Sequence, residues 1–372
     1  MTDNSFLRLH VLQAGYGDCL VVEYGHVQAE QHLIVIDGGV AGETTPTFMK
    51  LLNDLPNAHI DLLVVSHVDD DHIVGVIRVL QDKTLRGRIK DIWFNGVTER
   101  RVLALEGLGY KKGHKLEAML ADKSLGLPWN GAFGGADIAV DTTKPNLPVN
   151  LSLGATLTLL SPTASSLRDL REAWASNSLK PDDVDKTGEP QVVVPQGLEA
   201  LGEDAAAPID IDAILQTTCN EDTSVANGSS IAFIFNFGDA SVLLAADAHA
   251  SVLLETSAKL EGGLPRAVDL MKLPHHGSAG NVTVDLLKAF PAQAYVVSSD
   301  GNRHGHPDDL AIARIVDTVP GSMVYFNYPG PAYRRWLEFS ADDPARVHVS
   351  STLTKILTIE LPLTDQQSHR LA

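Results

Sequence analysis

The sequence contains little cysteine, because Cys19 and Cys219 are its only two thiol residues. Two isolated cysteines form neither a disulfide framework nor a zinc-type CxxC pair. The sequence also lacks a run of about 18 consecutive apolar residues, so it predicts no transmembrane helix. Its first residues, MTDNSFLRLHVLQ, contain no basic segment followed by a long apolar stretch, which argues against a secretory signal. We therefore expect a cytoplasmic protein without a membrane anchor.

Basic residues are also in short supply, with 29 Lys and Arg against 47 Asp and Glu and a net charge of −18. No Lys/Arg run provides the basic footprint of a protein that binds long DNA without sequence preference. The 44% of hydrophobic residues is enough to bury a core. At 372 residues the chain does not require a second core, so we interpret 1–372 as one domain with an insertion.

Short apolar runs separated by glycine-bearing turns predict most of the secondary structure. Predicted strands lie at 6–12, 19–24, 33–37, 62–66, 156–160, 230–237, 241–246, 269–273, 294–298 and 323–326, and predicted helices at 45–53 and 248–260. Hairpins followed by strands that alternate with helices are typical of mixed sheets flanked by helices, an α/β (α+β) fold.

The proposed insertion spans about 98–150 and 162–225. Helical charge patterns occur at 98–110 and 115–123, and Ser161-Pro162 leads a helix that ends near Trp174. From Asp182 to Asp212 nine carboxylates face one lysine, which indicates a solvated, poorly packed segment. Its hypothetical roles are an autoinhibitory lid over an active site, a docking surface for a protein partner, or an inert loop.

Side chains that can bind a cation are concentrated in the segment DLLVVSHVDDDHIVG. A buried strand ends at Ser66, and His67, Asp69, Asp71 and His72 follow at once. Alternate residues of an extended segment face one way, so the first two side chains share a direction, and the helix that begins next turns the second pair toward the same point. Four such side chains are costly to bury without a cation. An acidic helix N-terminus would explain the carboxylates, but not the histidines that flank them.

Other acid and imidazole groups also follow predicted strands. Asp247 closes SVLLAAD, His275 and His276 follow DLMKL, and His306 comes after AYVVS. A single histidine near a strand end is usually incidental. Three separate strand ends that all carry Asp or His point to one shared metal site.

These segments together resemble the metallo-β-lactamase superfamily, whose first motif runs His-x-His/Asp-x-Asp-His. The chain looks closest to the hydrolase domain of ComEC-type DNA-uptake proteins and to phosphorylcholine-esterase-like enzymes. The matching segments are AGYGDCLVVEYG, HLIVIDGG, SHVDDDHIVG, NGSSIAFIFNFGDASVLLAADA, LMKLPHHGS and GNRHGHP. The resemblance implies an αββα sandwich of two mixed sheets and two divalent metal ions, Zn or Mn, that activate water for hydrolysis.

The resemblance also implies a ligand set. One cation takes His67, Asp69, His275 and the shared Asp247, and the other takes Asp71, His72, Asp247 and His306. Asp37 in IDGG supports a ligand from behind. Two departures from the superfamily's commonest pattern stand out: Asp69 replaces the usual second histidine, and no separate third-motif histidine precedes Asp247, a role that His275 fills in this interpretation.

Several residues are candidates for contacts with the substrate or for proton transfer. Asn227, Ser229 and Asn302 could donate hydrogen bonds to substrate oxygens, although NGSS is equally explained as a turn before a strand. Asp71 and His276 are the candidate catalytic groups, with His276 as a proton donor to the leaving group or as a packing residue. On this assignment, His275→Ala lowers metal content and His276→Ala does not.

The function that these residues favour is a phosphodiesterase or nuclease. A glyoxalase II-like thioesterase or lactonase is the alternative enzyme, because the same metal pair hydrolyses other esters. A metal-bearing scaffold that docks a protein through residues 98–225 is the non-enzymatic alternative. The sequence lacks the motifs of other enzyme classes. GYGDCL has no third glycine of a dinucleotide-binding loop, and neither a GxSxG nor a Walker motif is present.

Overall fold

The computed structural model describes residues 5–40, 42, 44–96, 111–144, 146–176 and 208–363. Within these residues the strands form two mixed sheets. The first sheet has the order β14-β1-β2-β3-β4-β5. Its strands are β1 (Ser5–Leu12), β2 (Leu20–His26), β3 (Gln31–Ile36), β4 (His59–Val64), β5 (Ile92–Trp93) and β14 (Ile356–Leu361).

The second sheet has the order β13-β12-β11-β10-β9-β8-β7-β6. Its strands are β6 (Val149–Asn150), β7 (Thr156–Ser161), β8 (Ala232–Phe237), β9 (Ala240–Leu244), β10 (Val268–Lys272), β11 (Ala292–Val297), β12 (Ser322–Phe326) and β13 (Val347–Ser351). Strands β6 to β9 pair antiparallel, and β9 to β13 pair parallel. Antiparallel strands can be joined by short turns, whereas parallel pairs need a crossover.

Helices cover the outer faces of both sheets. On the side of the first sheet lie α1 (Thr44–Asp54), α2 (Asp70–Gln81), α3 (Lys83–Arg86), α4 (Lys111–Ala121), α5 (Ala164–Ala175) and α7 (Val225–Gly228). On the side of the second sheet lie α6 (Ile211–Leu215), α8 (Ala250–Ser257), α9 (Val284–Ala289), α10 (Asp309–Thr318) and α11 (Pro331–Asp342).

Three apolar clusters separate the four layers. The central cluster joins buried residues of both sheets, such as Leu9 and Ile34 from the first and Phe235 and Val242 from the second. The other two clusters lie between each sheet and its own helices. The predicted αββα sandwich is confirmed, and the predicted strands correspond to observed strands with end shifts of a few residues.

The described parts of the proposed insertion belong to the layers of the sandwich. Helix α4 packs on α2, with Lys112 Nζ 3.1 Å from Asp70 Oδ2, and Leu116 and Leu170 join the core beneath the first sheet. The helix predicted at 98–110 and positions 182–207 of the acidic segment lie outside the described residues. None of the described helices is long and apolar enough to cross a membrane.

A close contact between two glycines sets how near α2 approaches the first sheet. A Cβ atom added to Gly75 of α2 would lie 2.3 Å from the carbonyl oxygen of Gly38, and one added to Gly38 would lie 2.3 Å from Val76 N. Gly38 N also donates a hydrogen bond to His72 O at 2.7 Å. The missing side chains therefore let α2 bring His72 against the end of β3.

We expect Gly75→Ala to destabilise the protein by about 3 kcal/mol, because the new methyl group overlaps the Gly38 carbonyl. In a helix without such a contact, the same change stabilises by up to about 1 kcal/mol. Urea unfolding measures the difference. The control is Gly87→Ala, whose φ of −67° suits alanine and whose new Cβ stays 3.4 Å from its nearest neighbour. A stable Gly75→Ala variant contradicts the close approach.

Candidate metal centre

Side chains from several strand ends meet at one edge of the sandwich. Asp37 follows β3, His67 follows β4, Asp247 follows β9, and His275 and His276 follow β10. Because β3 and β4 are parallel, as are β9 and β10, their carboxyl ends lie on the same side of each sheet. Ile231 N donates to Ser66 O at 2.8 Å and links the two sheets beside this edge. The predicted convergence of strand ends is therefore present.

One carboxylate oxygen, Asp247 Oδ2, lies at the middle of three imidazoles. It is 3.4 Å from His276 Nε2, 3.5 Å from His72 Nε2 and 3.9 Å from His67 Nε2. All four side chains are buried. Asp69 Oδ2 adds a carboxylate 3.6 Å from His67 Nε2, and Asp71 Oδ2 adds one 3.7 Å from His72 Nε2.

The opposite ring nitrogens of these imidazoles face groups that hold the rings in place. His72 Nδ1 lies 2.8 Å from Asp37 Oδ2, and His276 Nδ1 lies 2.8 Å from Ser298 O. A carboxylate or carbonyl oxygen only accepts, so Nδ1 is the donor in both rings. Each ring when neutral therefore presents an Nε2 lone pair toward Asp247. His67 Nδ1 lies 2.9 Å from Ser66 Oγ, which leaves its Nε2 toward the same point.

Asp37 lies behind this arrangement and is hydrogen-bonded to Ser66. Its Oδ1 accepts from Ser66 N at 2.8 Å, and its Oδ2 accepts from Ser66 Oγ at 2.7 Å. Asp37 adopts a left-handed φ of 58°, which turns its side chain back toward the end of β4. A carboxylate that orients a histidine in this way is the usual support of a metal ligand.

The negative charge of the cluster changes the acidity of its imidazoles. Burial alone would lower the pKa of His72, but Asp71, Asp37 and Asp247 raise it well above its ordinary value. Burial likewise opposes protonation of His276, but Asp247 and Asp18 raise its pKa to about 9. Burial would raise the pKa of Asp247, yet His276 and His72 hold it well below its usual range. The cluster therefore attracts positive charge strongly.

These residues fit divalent cations. Among the described residues, His67 Nε2, His72 Nε2 and Asp247 Oδ1 are buried without a hydrogen-bond partner. The ligand atoms of His67, His72 and Asp247 lie within 4.8 Å of one another, and so do those of Asp71, His72 and His276. Imidazole nitrogens and carboxylate oxygens are the donors that Zn²⁺ prefers, and carboxylates also suit Mn²⁺.

The geometry adds His276 to the candidate ligands. His276, a candidate proton donor in the sequence-based assignment, lies with Asp71 and His72, the two residues that the assignment groups with His306. His306 lies beside His275, with ring centroids 5.3 Å apart and its Nδ1 3.3 Å from Asp308 Oδ1. His275 and His276 both adopt positive φ, 44° and 56°, so the chain turns sharply and aims the two rings differently.

A hydrogen-bonded network that the sequence did not reveal holds His275. Its Nδ1 lies 3.1 Å from Asn281 Oδ1 and 3.3 Å from Asp222 Oδ2. Asn281 Nδ2 also donates to Asp222 Oδ2 at 3.0 Å. Asp222 precedes the predicted strand by several residues and stands in no recognised motif, so only the folded chain reveals its role.

The three predicted substrate contacts are occupied by local hydrogen bonds. Asn227 Nδ2 donates to Asp222 Oδ2 at 2.8 Å, and Ser229 Oγ donates to Ala226 O at 2.6 Å. Both side chains are buried, which favours the interpretation of NGSS as a turn. Asn302 is exposed and donates through its backbone N and Nδ2 to Asp300 at 2.9 and 3.0 Å.

A buried ion pair behind Asp247 also escaped the sequence analysis. Lys272 Nζ contacts Asp18 Oδ2 and lies 3.9 Å from Asp247 Oδ1, and both Lys272 and Asp18 are almost fully buried. Asp18 Oδ1 is 3.5 Å from His276 Nδ1. The signal was present in GYGDCL and LMKLPHHGS, where a charged residue interrupts or borders an apolar run.

No protein-family model and no curated protein matches the chain. Similar solved structures include a mutant of CmlA beta-hydroxylase, with 16% identity over 96% of this chain and 54% of that chain and a TM-score of 0.39. The chain thus spans about half of that protein's length. A diphosphatase of the PhnP family has 13% identity over 97% of this chain and 100% of its own, with a TM-score of 0.39. Zn²⁺-bound PqqB from Methylobacterium extorquens has 12% identity over 95% of this chain and 100% of its own, with a TM-score of 0.40.

We expect Asp37→Asn to weaken metal binding by about 10–100-fold, since such supports commonly contribute that much. With the amide oxygen accepting from Ser66 N, the amide nitrogen faces His72 Nδ1, so the proton of His72 moves to Nε2 and blocks the ligand atom. Asparagine tolerates the positive φ of this position. Competition with a chromophoric chelator measures the affinity. Asp169→Asn, an exposed carboxylate of α5, is the control. Unchanged affinity contradicts this role of Asp37.

We expect His276→Ala to remove about one metal equivalent per chain, because its Nε2 is grouped with Asp71 and His72. Elemental analysis after equilibration with Zn²⁺ or Mn²⁺ measures the loss. His348→Ala, at an exposed position of β13, is the matched control. Full metal content combined with slow turnover supports the sequence-based assignment of His276 as a proton donor.

Proposed function

We propose that this protein is a hydrolase that uses two divalent cations, Zn²⁺ or Mn²⁺, to cleave phosphodiester bonds, with nucleic acid as one substrate class. The observation that carries the proposal is the position of Asp247 Oδ2, which lies 3.4–3.9 Å from three buried imidazole nitrogens. A carboxylate in that position is suited to bridge two cations.

The side chains divide into two ligand sets around Asp247. His67, Asp69 and Asp247 would hold one cation, with His275 as the fourth ligand that the sequence assigns. Asp71, His72, Asp247 and His276 would hold the other. This division keeps six of the seven predicted ligands and exchanges His306 for His276. The ComEC-type resemblance is compatible with it, because LMKLPHHGS, which contains both histidines, is one of the matching segments.

When bound, a pair of divalent cations lowers the pKa of a water molecule to near 7 and stabilises charge that develops on the substrate. The residues of the chain fix the donors for this chemistry. Asp37 and Ser298 O hold the protons of His72 and His276 on Nδ1, and Lys272 Nζ lies 3.9 Å from the second oxygen of Asp247. The sequence analysis predicts Asp71 and His276 as the catalytic groups. The side chain of Asp71 is 18% exposed, so its carboxylate remains accessible.

The charges favour a substrate with one negative charge. Three ligand carboxylates contribute −3, two dications would contribute +4 and one hydroxide −1, so the loaded site would carry no net charge. Lys272 and Asp18 cancel one another, and Asp37 and Asp222 add negative charge nearby. Because such a site would have no surplus positive charge and lies beside further carboxylates, it would disfavour a monoester dianion more than a phosphodiester, which carries one negative charge.

Two alternatives remain as competing hypotheses. The thioesterase or lactonase alternative uses the same cations on a neutral ester, and only the substrate distinguishes it. The scaffold alternative places a protein partner on the insertion. The contact of Lys112 with Asp70, next to the ligand Asp71, connects the described part of that insertion with the metal centre. A partner bound there would affect the first turn of α2.

The test measures metal content and turnover together. We expect wild type with added Mn²⁺ or Zn²⁺ to cleave bis-p-nitrophenyl phosphate and single-stranded DNA or RNA. Asp247→Ala should reduce kcat/KM by at least about 1,000-fold and also lower metal content, because it removes the shared ligand. Asp169→Ala is the control for loss of a carboxylate.

Three outcomes would contradict the proposal in different ways. Hydrolysis of a glutathione thioester or a lactone without diester cleavage establishes the alternative enzyme. Full activity and full metal content in Asp247→Ala reject the bridging role. A protein that binds neither Mn²⁺ nor Zn²⁺ rejects the dinuclear hydrolase altogether.

A further inference from the structure

A second histidine cluster lies at the start of β4, far from the metal centre at its end. It comprises His32 of β3, His59 of β4 and Glu30 in the turn before β3. His32 and His59 are register partners on neighbouring parallel strands, and their ring centroids lie 5.7 Å apart. At about 3.3 Å per residue, β4 itself places roughly 17 Å between His59 and Val64. This cluster is therefore separate from the centre around Asp247.

His32 is held in one orientation by Asp61, which lies two residues after His59 on the same strand. His32 Nδ1 is 3.1 Å from Asp61 Oδ1. The same carboxylate accepts from Tyr24 Oη at 2.5 Å and contacts Lys90 Nζ at 2.6 Å. Burial would raise the pKa of Asp61, but Lys90, Tyr24 and His32 together lower it. An ionised carboxylate only accepts, so Nδ1 of His32 carries the proton and Nε2 presents a lone pair.

That lone pair faces another acceptor. His32 Nε2 is buried and has no hydrogen-bond partner among the described residues. It lies 4.0 Å from Glu30 Oε2, and His59 Nε2 lies 4.0 Å from Glu30 Oε1. These separations are too long for hydrogen bonds. One carboxylate thus faces two imidazole nitrogens, and a cation between them would satisfy all three groups.

We propose that His32, His59 and Glu30 form a second metal site for a divalent transition ion such as Zn²⁺, with Asp61 orienting His32 from behind. Tetrahedral zinc with nitrogen and oxygen ligands at about 2.0–2.1 Å needs ligand atoms roughly 3.4 Å apart. The side chain of Glu30 is 73% exposed and that of His59 is 44% exposed, so both can rotate inward on binding to close the 4.0 Å separations. Water completes the coordination. The bound ion ties the turn before β3 to the start of β4.

The experiment compares the zinc content of wild type with that of His59→Ala and Glu30→Gln. Each protein is equilibrated with zinc buffered near about 1 µM free ion, where a three-ligand site of this type fills. We expect both variants to bind one equivalent less than wild type and to lose part of the zinc-dependent rise in Tm. His348→Ala, which removes an exposed histidine from the second sheet, should match wild type. Anomalous diffraction at the zinc edge should place an ion between His32 and His59.

The same zinc content and the same zinc-dependent Tm in wild type and His59→Ala would overturn the proposal. That result would leave His32 oriented by Asp61 alone, with no ion between it and Glu30. Turnover of bis-p-nitrophenyl phosphate separates this site from the proposed function, because it should change by less than about twofold in both variants. If the wild type has no diesterase activity but His59→Ala still binds one zinc fewer, the second site is supported. That result contradicts only the proposed hydrolase function.

Discussion

The attraction between buried imidazoles and the carboxylate of Asp247 is the interaction on which the functional edge of this protein depends. Isolated charges are costly to bury, and this cluster gathers several carboxylates where water is largely excluded. His67, His72 and His276 each direct an Nε2 atom toward the same carboxylate oxygen, Asp247 Oδ2. Their ring orientations are set by hydrogen bonds behind them, so the negative potential is built into the fold before any cation arrives.

The fold supplies this cluster through two local devices. Parallel strands of two packed sheets end at the same edge, which brings loops from distant parts of the sequence together. The contact between Gly38 and Gly75 then lets α2 sit against the end of β3, so that His72 reaches Asp37. A larger residue at either glycine would move the helix outward and separate His72 from Asp37. The close packing of Gly38 and Gly75 is therefore required for the contact between His72 and Asp37.

The sandwich and the location of the site could be predicted from the sequence because both depend on short-range patterns. Strand periodicity and the spacing in SHVDDDHIVG are local, and the positions of the strand ends follow from them. The position of His276 beside Asp71 and His72 could not be predicted from a local pattern, because it depends on a left-handed turn at two consecutive histidines. The hydrogen-bond acceptor of Asn227 could not be predicted either, since Asp222 comes within reach of its side chain only after the chain folds. Periodicity and motif spacing could not predict which side chains contact each other across long sequence separations.

The two charged groups behind Asp247 explain how so acidic a site remains compatible with a folded core. A lysine buried alone would be costly, but Lys272 is matched by Asp18, and the pair is neutral as a unit. Lys272 also approaches Asp247 Oδ1, whereas the imidazoles approach Oδ2. The carboxylate is thus held between a fixed internal cation on one side and the ligand nitrogens on the other. Because Lys272 is already balanced by Asp18, it does not cancel the charge of Asp247, and that charge stays directed toward the three imidazoles.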